Sequence, residues 1–282
     1  QLAFVPEHGS IHDFLYDVDA ETWTSWADVS EEEAVAAGQS SASADVEAAS
    51  GQSQHPPPPA LAFDVSSITV RTPEEARCKY LMDILLRSGK IPHLVGPRST
   101  GKTTIVRHFC DQRRAATGML SRIFAFSALT SPQMFYNSLE SCLEKRQGCN
   151  YGPVGGGSMV FVIDDVSMPQ RNEWGDQVTN ELLRQLLELD GFYRLTKPIG
   201  EFKNVGDVSY VATSKLGKDL GIPNRLSGIM RTIYVDRPTE DDVALIVERM
   251  VHAFAASRDL LSSVAPVLHQ LGKLAIRICY TI

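Results

Sequence analysis

Gly96-Pro97-Arg98-Ser99-Thr100-Gly101-Lys102-Thr103 fits the pattern GxxxxGK[ST]. An apolar run, Ile91–Val95, precedes it and contains one proline. A helical pattern follows from Lys102 to about Arg113, with Ile105, Val106 and Phe109 on one face. Strand, glycine turn and helix are the context the chemistry requires. Glycines let the backbone curl with its N–H groups inward, and those donors together with the helix N-terminus favour a polyphosphate. On this reading residues Gly96 to Thr103, with the adjoining Thr104, bind the phosphates of ATP or GTP. Lys102 reaches the β- and γ-phosphates and the Thr103 hydroxyl ligates Mg2+. The competing reading is an incidental glycine turn that caps a helix, and it leaves Lys102 and Thr103 unexplained.

Met159-Val160-Phe161-Val162-Ile163 reads as a strand buried on both faces, and it ends in Asp164-Asp165. Such a strand delivers a carboxylate to the edge of a sheet, where ligands gather. Asp164 is the candidate Mg2+ ligand, directly or through water. Asp165 stands where many ATPases place a Glu that orients or deprotonates the attacking water. Its side chain is one methylene shorter, so binding is better supported than hydrolysis. The competing reading is a pair of solvated carboxylates at a strand end. Gly155-Gly156-Gly157 reads as a connection and not as a second phosphate loop.

Farther out, strand and helix alternate. Strands are expected at Arg122–Ala128, Val208–Ala212 and Thr232–Val235, and helices at Met134–Arg146, Asp176–Leu189 and Thr239–Phe254. Thr239 can cap the last of these, with Asp242 near its first turn. The order predicts an α/β fold, a parallel sheet flanked by helices. Residues 1–29, with Phe14, Tyr16, Trp23 and Trp26, read as a short folded preface. Residues 30–60 are rich in Glu, Ala, Ser and Gln and end in His55-Pro56-Pro57-Pro58-Pro59. That composition buries too little apolar surface to offset chain entropy, so a disordered insertion or linker is expected, with a proline-rich ligand as the alternative.

The 282 residues are 43% hydrophobic and 22% charged, with a formal charge of −7. That balance gives no chain-wide electrostatic case for nucleic acid. No apolar run approaches the roughly 20 residues of a membrane span. Cys78, Cys110, Cys142, Cys149 and Cys279 have neither CxxC spacing nor a nearby His at ligand spacing, so free thiols in a reducing compartment are expected. The chain opens on Gln1 and closes on an apolar run, and both ends read as cut from something longer.

These segments together resemble an AAA+ module of a dynein heavy chain, most of all the third module of the motor ring. Val95–Thr103 is similar to the family's V-G-P-T-G-T-G-K-S, and Phe126-Ser127-Ala128-Leu129-Thr130-Ser131 to its F-S-A-x-T-S. Phe161–Pro169 is similar to F-x-D-D-L-N-M-P, and Glu181-Leu182-Leu183-Arg184-Gln185 matches E-L-L-R-Q. Phe4-Val5-Pro6-Glu7-His8-Gly9, with Asp13 and Trp26, resembles the stretch that leads from the second module into the third. The likeness covers 1–29 and roughly 61–250, and Asp-Asp followed by Met-Pro favours the axonemal branch.

The resemblance implies a connector at 1–29, a large AAA+ nucleotide-binding domain at 61–236 and the start of a helical lid at 237–282. Its sensor position falls near Ser214. Its P-R-F-L-R-H-F finger segment appears as Pro223–Arg231, in which Arg225 is the best match to the finger arginine and a surface arginine is the alternative. The loop departs from the family, with Arg98 and Ser99 in place of Thr and Gly. By resemblance the chain binds ATP and Mg2+, with Asp164, Asp165, Ser214 and Arg225 as its catalytic set. It acts in a minus-end-directed motor with neighbouring AAA+ modules, intermediate and light chains, and a microtubule reached through other parts. The expected setting is cytoplasm and cytoskeleton, in a cilium or flagellum axoneme. The alternatives are a relay module that holds nucleotide without effective hydrolysis, and an AAA+ ATPase unrelated to microtubules.

Overall fold

The computed structural model describes residues 10–18, 21–30, 70–196, 199–217 and 221–257, with single positions at 267, 270 and 274. The 30–60 insertion, beyond Ser30, and Cys279 lie outside the described residues. The chain divides into two units, Cys78–Arg237 and a second made of Gln1–Arg77 with Pro238–Ile282.

In the second unit, β1 (Phe14–Asp17) and β2 (Thr22–Ser25) form an antiparallel hairpin. The Tyr16 and Trp23 rings lie 5.0 Å apart on it. Residues 26–30 are helical and Trp26 is buried. The helix α1 (Pro73–Arg87) begins here with Glu74 and Glu75 in its first turn, where the helix dipole favours acid.

The larger unit is built on a five-stranded parallel sheet. Its strands are β3 (Ile91–Gly96), β4 (Leu120–Ala125), β7 (Met159–Asp164), β10 (Val208–Lys215) and β11 (Met230–Tyr234), in the order β11-β3-β10-β7-β4. Pro92 is tolerated in this central strand because the pairing of β3 with β10 starts only at His93. Both faces of the sheet are covered, which is why β7 is apolar and buried along its whole length. Alternate side chains feed two cores. Val160, Val162, Leu94, Val211 and Ile233 pack with Ile105, Val106 and Phe109 of α2 (Lys102–Thr117) and with Cys78 and Met82. Phe161, Ile163, Tyr210 and Ala212 pack with Phe135 and Leu139 of α3 (Pro132–Glu140) and with Leu182, Leu183 and Leu186 of α4 (Val178–Leu189). Among the described residues two further helices follow, α5 (Asn224–Ile229) and, in the second unit, α6 (Glu240–Ser257). Thr239 and Asp242 cap α6 reciprocally, each side chain accepting the other's backbone N–H.

A four-stranded second sheet, order β5-β6-β9-β8, has no counterpart among the strands expected from the sequence. It is made of β5 (Leu143–Lys145), β6 (Asn150–Pro153), β8 (Gly191–Tyr193) and β9 (Phe202–Val205). It corrects the helix expected at Met134–Arg146, which ends at Glu140. Ser131 caps α3 at its start, and Leu143 then pairs with Pro153 instead of continuing the helical face. The Arg122–Ala128 strand also shifts, because Ser127 and Thr130 close a turn after Phe126. Buried Lys203 of β9 pairs with Glu140, its ammonium 4.8 Å from the centre of the Tyr151 ring. Gly155 and Gly156 have φ of 89° and 77° and turn the chain from β6 into β7. Among the described residues, Cys78, Cys110, Cys142 and Cys149 form no disulfide. Among the described residues, no helix is long and apolar enough to cross a membrane.

Candidate functional site

The loop that leaves β3 enters α2 through Gly101, whose φ of 77° is left-handed and suits glycine. The first backbone bond of the helix runs from the Ile105 N–H to the Gly101 carbonyl. The amides of Lys102, Thr103 and Thr104 therefore have no intrahelical acceptor and stand at the positive end of the helix. Ser99 also takes a positive φ, 61°, and Arg98 is exposed beside it. Lys102 is 9% exposed. Its ammonium donates to the Gly96 and Pro97 carbonyls at 3.1 and 2.5 Å and to Thr100 Oγ1 at 3.3 Å. Three acceptors match its three donors and hold the charge at the loop. Burial lowers its pKa, and Asp165 and then Asp164 act against that shift.

β10 lies between β3 and β7 and brings the two motifs together. Thr103 Oγ1 sits 3.0 Å from each carboxylate oxygen of Asp164. Thr213 Oγ1 donates to Asp164 Oδ1 at 2.5 Å and accepts the Asp165 N–H at 3.0 Å. Asp164 is buried; Asp165 is exposed and left-handed, with φ of 58°. Desolvation and then the Asp164 charge raise the pKa of Asp165, while Lys102 and Lys215 pull it down. A hydroxyl beside a carboxylate is a hard oxygen donor pair and fits Mg2+, which keeps several waters and takes one or two carboxylates. Thr103 and Asp164 are the residues that would hold it.

Ser214 is placed elsewhere. Val211 belongs to the core beneath α2 and Ala212 to the opposite one, so strand alternation sets Thr213 on the α2 face and Ser214 on the other. Fully buried, Ser214 pairs its Oγ with His93 Nε2 at 2.8 Å. The hydroxyl beside Asp164 is that of Thr213, which the sequence alone did not single out. Two adjacent hydroxyl residues in a strand buried on both faces carry no signal that separates them. Thr213→Val is therefore expected to weaken Mg2+-dependent nucleotide binding by about tenfold, the loss of one bond to a charged group. Ser214→Ala is expected to lower stability by about 1–3 kcal/mol, leaving His93 Nε2 unpaired, without moving that affinity. Titration with and without Mg2+, beside denaturant unfolding, checks the split.

Burial holds the pKa of His93 down from 6.5 to about 4. An unfolded chain takes up a proton near 6.5 that the folded one refuses until about 4. Stability from this residue is complete above the higher value and is lost as pH falls to the lower, by about 3 kcal/mol in all. Denaturant midpoints at pH 7.5 and 4.5 should differ less in His93→Asn than in the wild type.

Arg225 is exposed on α5 and hydrogen-bonds to none of the described site residues. The site thus gathers Gly96–Thr104, Asp164 and Asp165 on one edge of the sheet, adds Thr213, and does not include Ser214 or Arg225.

Residues 58–238 match a family model described as the P-loop containing dynein motor region. The dynein gamma chain of the flagellar outer arm of Chlamydomonas reinhardtii is 39% identical over 197 residues, 69% of this chain and 4% of that protein. Dynein axonemal heavy chain 5 of Mus musculus is 41% identical over 155 residues, 55% of this chain and 3% of its own. Dynein axonemal heavy chain 8 of Homo sapiens is 40% identical over 149 residues, 53% and 3% respectively. The chain spans only 3% to 4% of the length of these relatives.

Proposed function

Because the chain belongs to the P-loop containing dynein motor region family, we propose that it is one AAA+ module of a dynein heavy chain that binds ATP with Mg2+ and hydrolyses it. The observation that carries this is the 3.0 Å approach of Thr103 Oγ1 to Asp164, next to the Lys102 ammonium. Loop amides and Lys102 bind the phosphates, and Thr103 and Asp164 hold the metal, which supplies charge neutralisation at the phosphates. Thr213 orients Asp164. Asp165 accepts a proton from the attacking water, and its raised pKa suits that part. Arg225, exposed on α5, serves the nucleotide of a neighbouring module.

In this reading residues 1–29 connect to a preceding module, 61–236 form the large domain and 237–282 begin the lid. The whole motor works on a microtubule through other parts of a longer chain, with intermediate and light chains. The axonemal and flagellar names of the relatives favour a cilium or flagellum axoneme and an outer-arm type.

A second reading rests on Asp165 itself, which is short and left-handed at φ 58°: the module holds nucleotide and relays conformational change without turnover. ATP turnover in the intact ring separates the two. If this module hydrolyses, Asp165→Asn lowers its rate by at least about a hundredfold with little change in binding. An unchanged rate, with Lys102→Ala still harmful, leaves the relay reading.

A further inference from the structure

Asp165 stands on a turn whose backbone is tied at each step. Its own N–H donates to Thr213 Oγ1 at 3.0 Å, the Val166 N–H donates to the Thr213 carbonyl at 2.9 Å, and the Asp165 carbonyl accepts the Met168 N–H at 2.9 Å. A left-handed residue with a Cβ persists where its surroundings over-determine it, and Asp165 has a φ of 58°. The exit from this turn is held from α4. The buried residues of that helix are Thr179 and Asn180 in its first turn, then Leu182, Leu183, Leu186 and Leu187. Gln177, buried at the N-cap, makes no side-chain capping bond; its Nε2 donates to the Pro169 carbonyl at 2.8 Å. Fully buried Asn180 donates from Nδ2 to the Val166 carbonyl at 3.0 Å and to Gln177 Oε1 at 2.8 Å. Thr179 Oγ1 donates to the Thr130 carbonyl at 2.8 Å and fixes the helix start to the loop after β4. Backbone carbonyls only accept, so they set the direction of both amides.

We propose that Asn180, seated by Gln177, is a positioning residue for the hydrolytic step: it holds the Val166–Pro169 segment and thereby the backbone from which Asp165 presents its carboxylate. The inference rests on the reading of Asp165 as the proton acceptor and adds the residue that keeps it in place. An amide buried on the leucine face of a helix is costly unless bonded, and Asn is a weaker helix former than Leu. An apolar residue would serve packing alone better at this position. The bonds of Asn180 go to Val166 and Gln177 and not to the phosphate loop or Asp164. Its loss therefore leaves the contacts to phosphate and metal in place and displaces the proton acceptor. Misplacement of such a group costs rate and little affinity.

The test is ATP turnover in the intact ring, read above a Lys102→Ala baseline, beside titration of the full chain with ATP and Mg2+. Asn180→Leu removes both donors and suits a helix. It is expected to lower kcat at this module at least about tenfold, with KM and ATP affinity changed by less than about twofold. Gln177→Leu removes the Pro169 tie and the second acceptor of Asn180. It is expected to give the same split, and it carries the test should the first variant fail to fold. Added to Asp165→Asn, Asn180→Leu is expected to slow turnover no further, because a residue that acts through another adds nothing once that one is gone. Losses that multiply in the double variant, an unchanged kcat, or a parallel fall of kcat and affinity overturn the positioning role and leave Asp165 its own. Turnover at the wild-type rate in Asp165→Asn overturns both.

Discussion

Lys102→Ala leaves the chain folded and removes its affinity for nucleotide. The residue is 9% exposed, and the three donors of its ammonium meet oxygens of the loop it serves. Its substitution relieves a desolvated charge, so melting should change little. What the variant gives up is the ammonium's hold on the phosphates. At about 1.5–3 kcal/mol for each bond to a charged group, two such bonds amount to at least about a hundredfold in affinity. Calorimetric titration of wild type and variant checks this. Binding within about threefold of the wild type would show that Lys102 has a structural part only.

Gly96→Ala unfolds or strongly destabilises the chain, for a reason separate from nucleotide. A Cβ at this position meets the Val235 carbonyl oxygen at 2.2 Å. That oxygen belongs to backbone fixed by the Val235 N–H to Val95 carbonyl bond at 2.8 Å and by the pairing of β11 with β3 up to Tyr234. Neither strand can retreat without breaking the ladder that positions the loop. A loss of about 3 kcal/mol is expected, the upper end of ordinary overpacking. Gly101→Ala is the contrast. Nothing lies within 4 Å of a Cβ there, and only its left-handed φ of 77° is penalised, at about 1–2 kcal/mol. Denaturant unfolding of the two variants ranks them, and a Gly96→Ala loss below that of Gly101→Ala contradicts the close-approach argument.

The phosphate loop and the acidic end of β7 were legible because each is a local pattern: a fixed spacing of Gly, Lys and Thr, and five apolar residues before two aspartates. The parallel sheet followed from the order of such runs. What could not be read was whatever depends on register. Thr213 and Ser214 differ in role only because β10 alternates between two cores, and a strand buried on both faces shows no polar side from which to count. The second sheet was hidden in strands of three or four residues, Leu143–Lys145, Asn150–Pro153, Gly191–Tyr193 and Phe202–Val205. Such lengths carry too few positions to show a period. Leu139 and Leu143, four apart, mimicked one helical face across the true end of α3 at Glu140. The second reason for glycine at 96, the Val235 carbonyl, comes from a residue 139 positions away.

Lys102 and Asp164 are expected to grip one triphosphate from opposite sides. The most direct test is a high-resolution map of the full chain with Mg2+ and a non-hydrolysable ATP analogue. The β- and γ-phosphates are expected beside Lys102 Nζ and the loop amides, with the metal between Thr103 Oγ1 and the Asp164 carboxylate. Nucleotide bound elsewhere, or a metal held without Thr103 and Asp164, would contradict it.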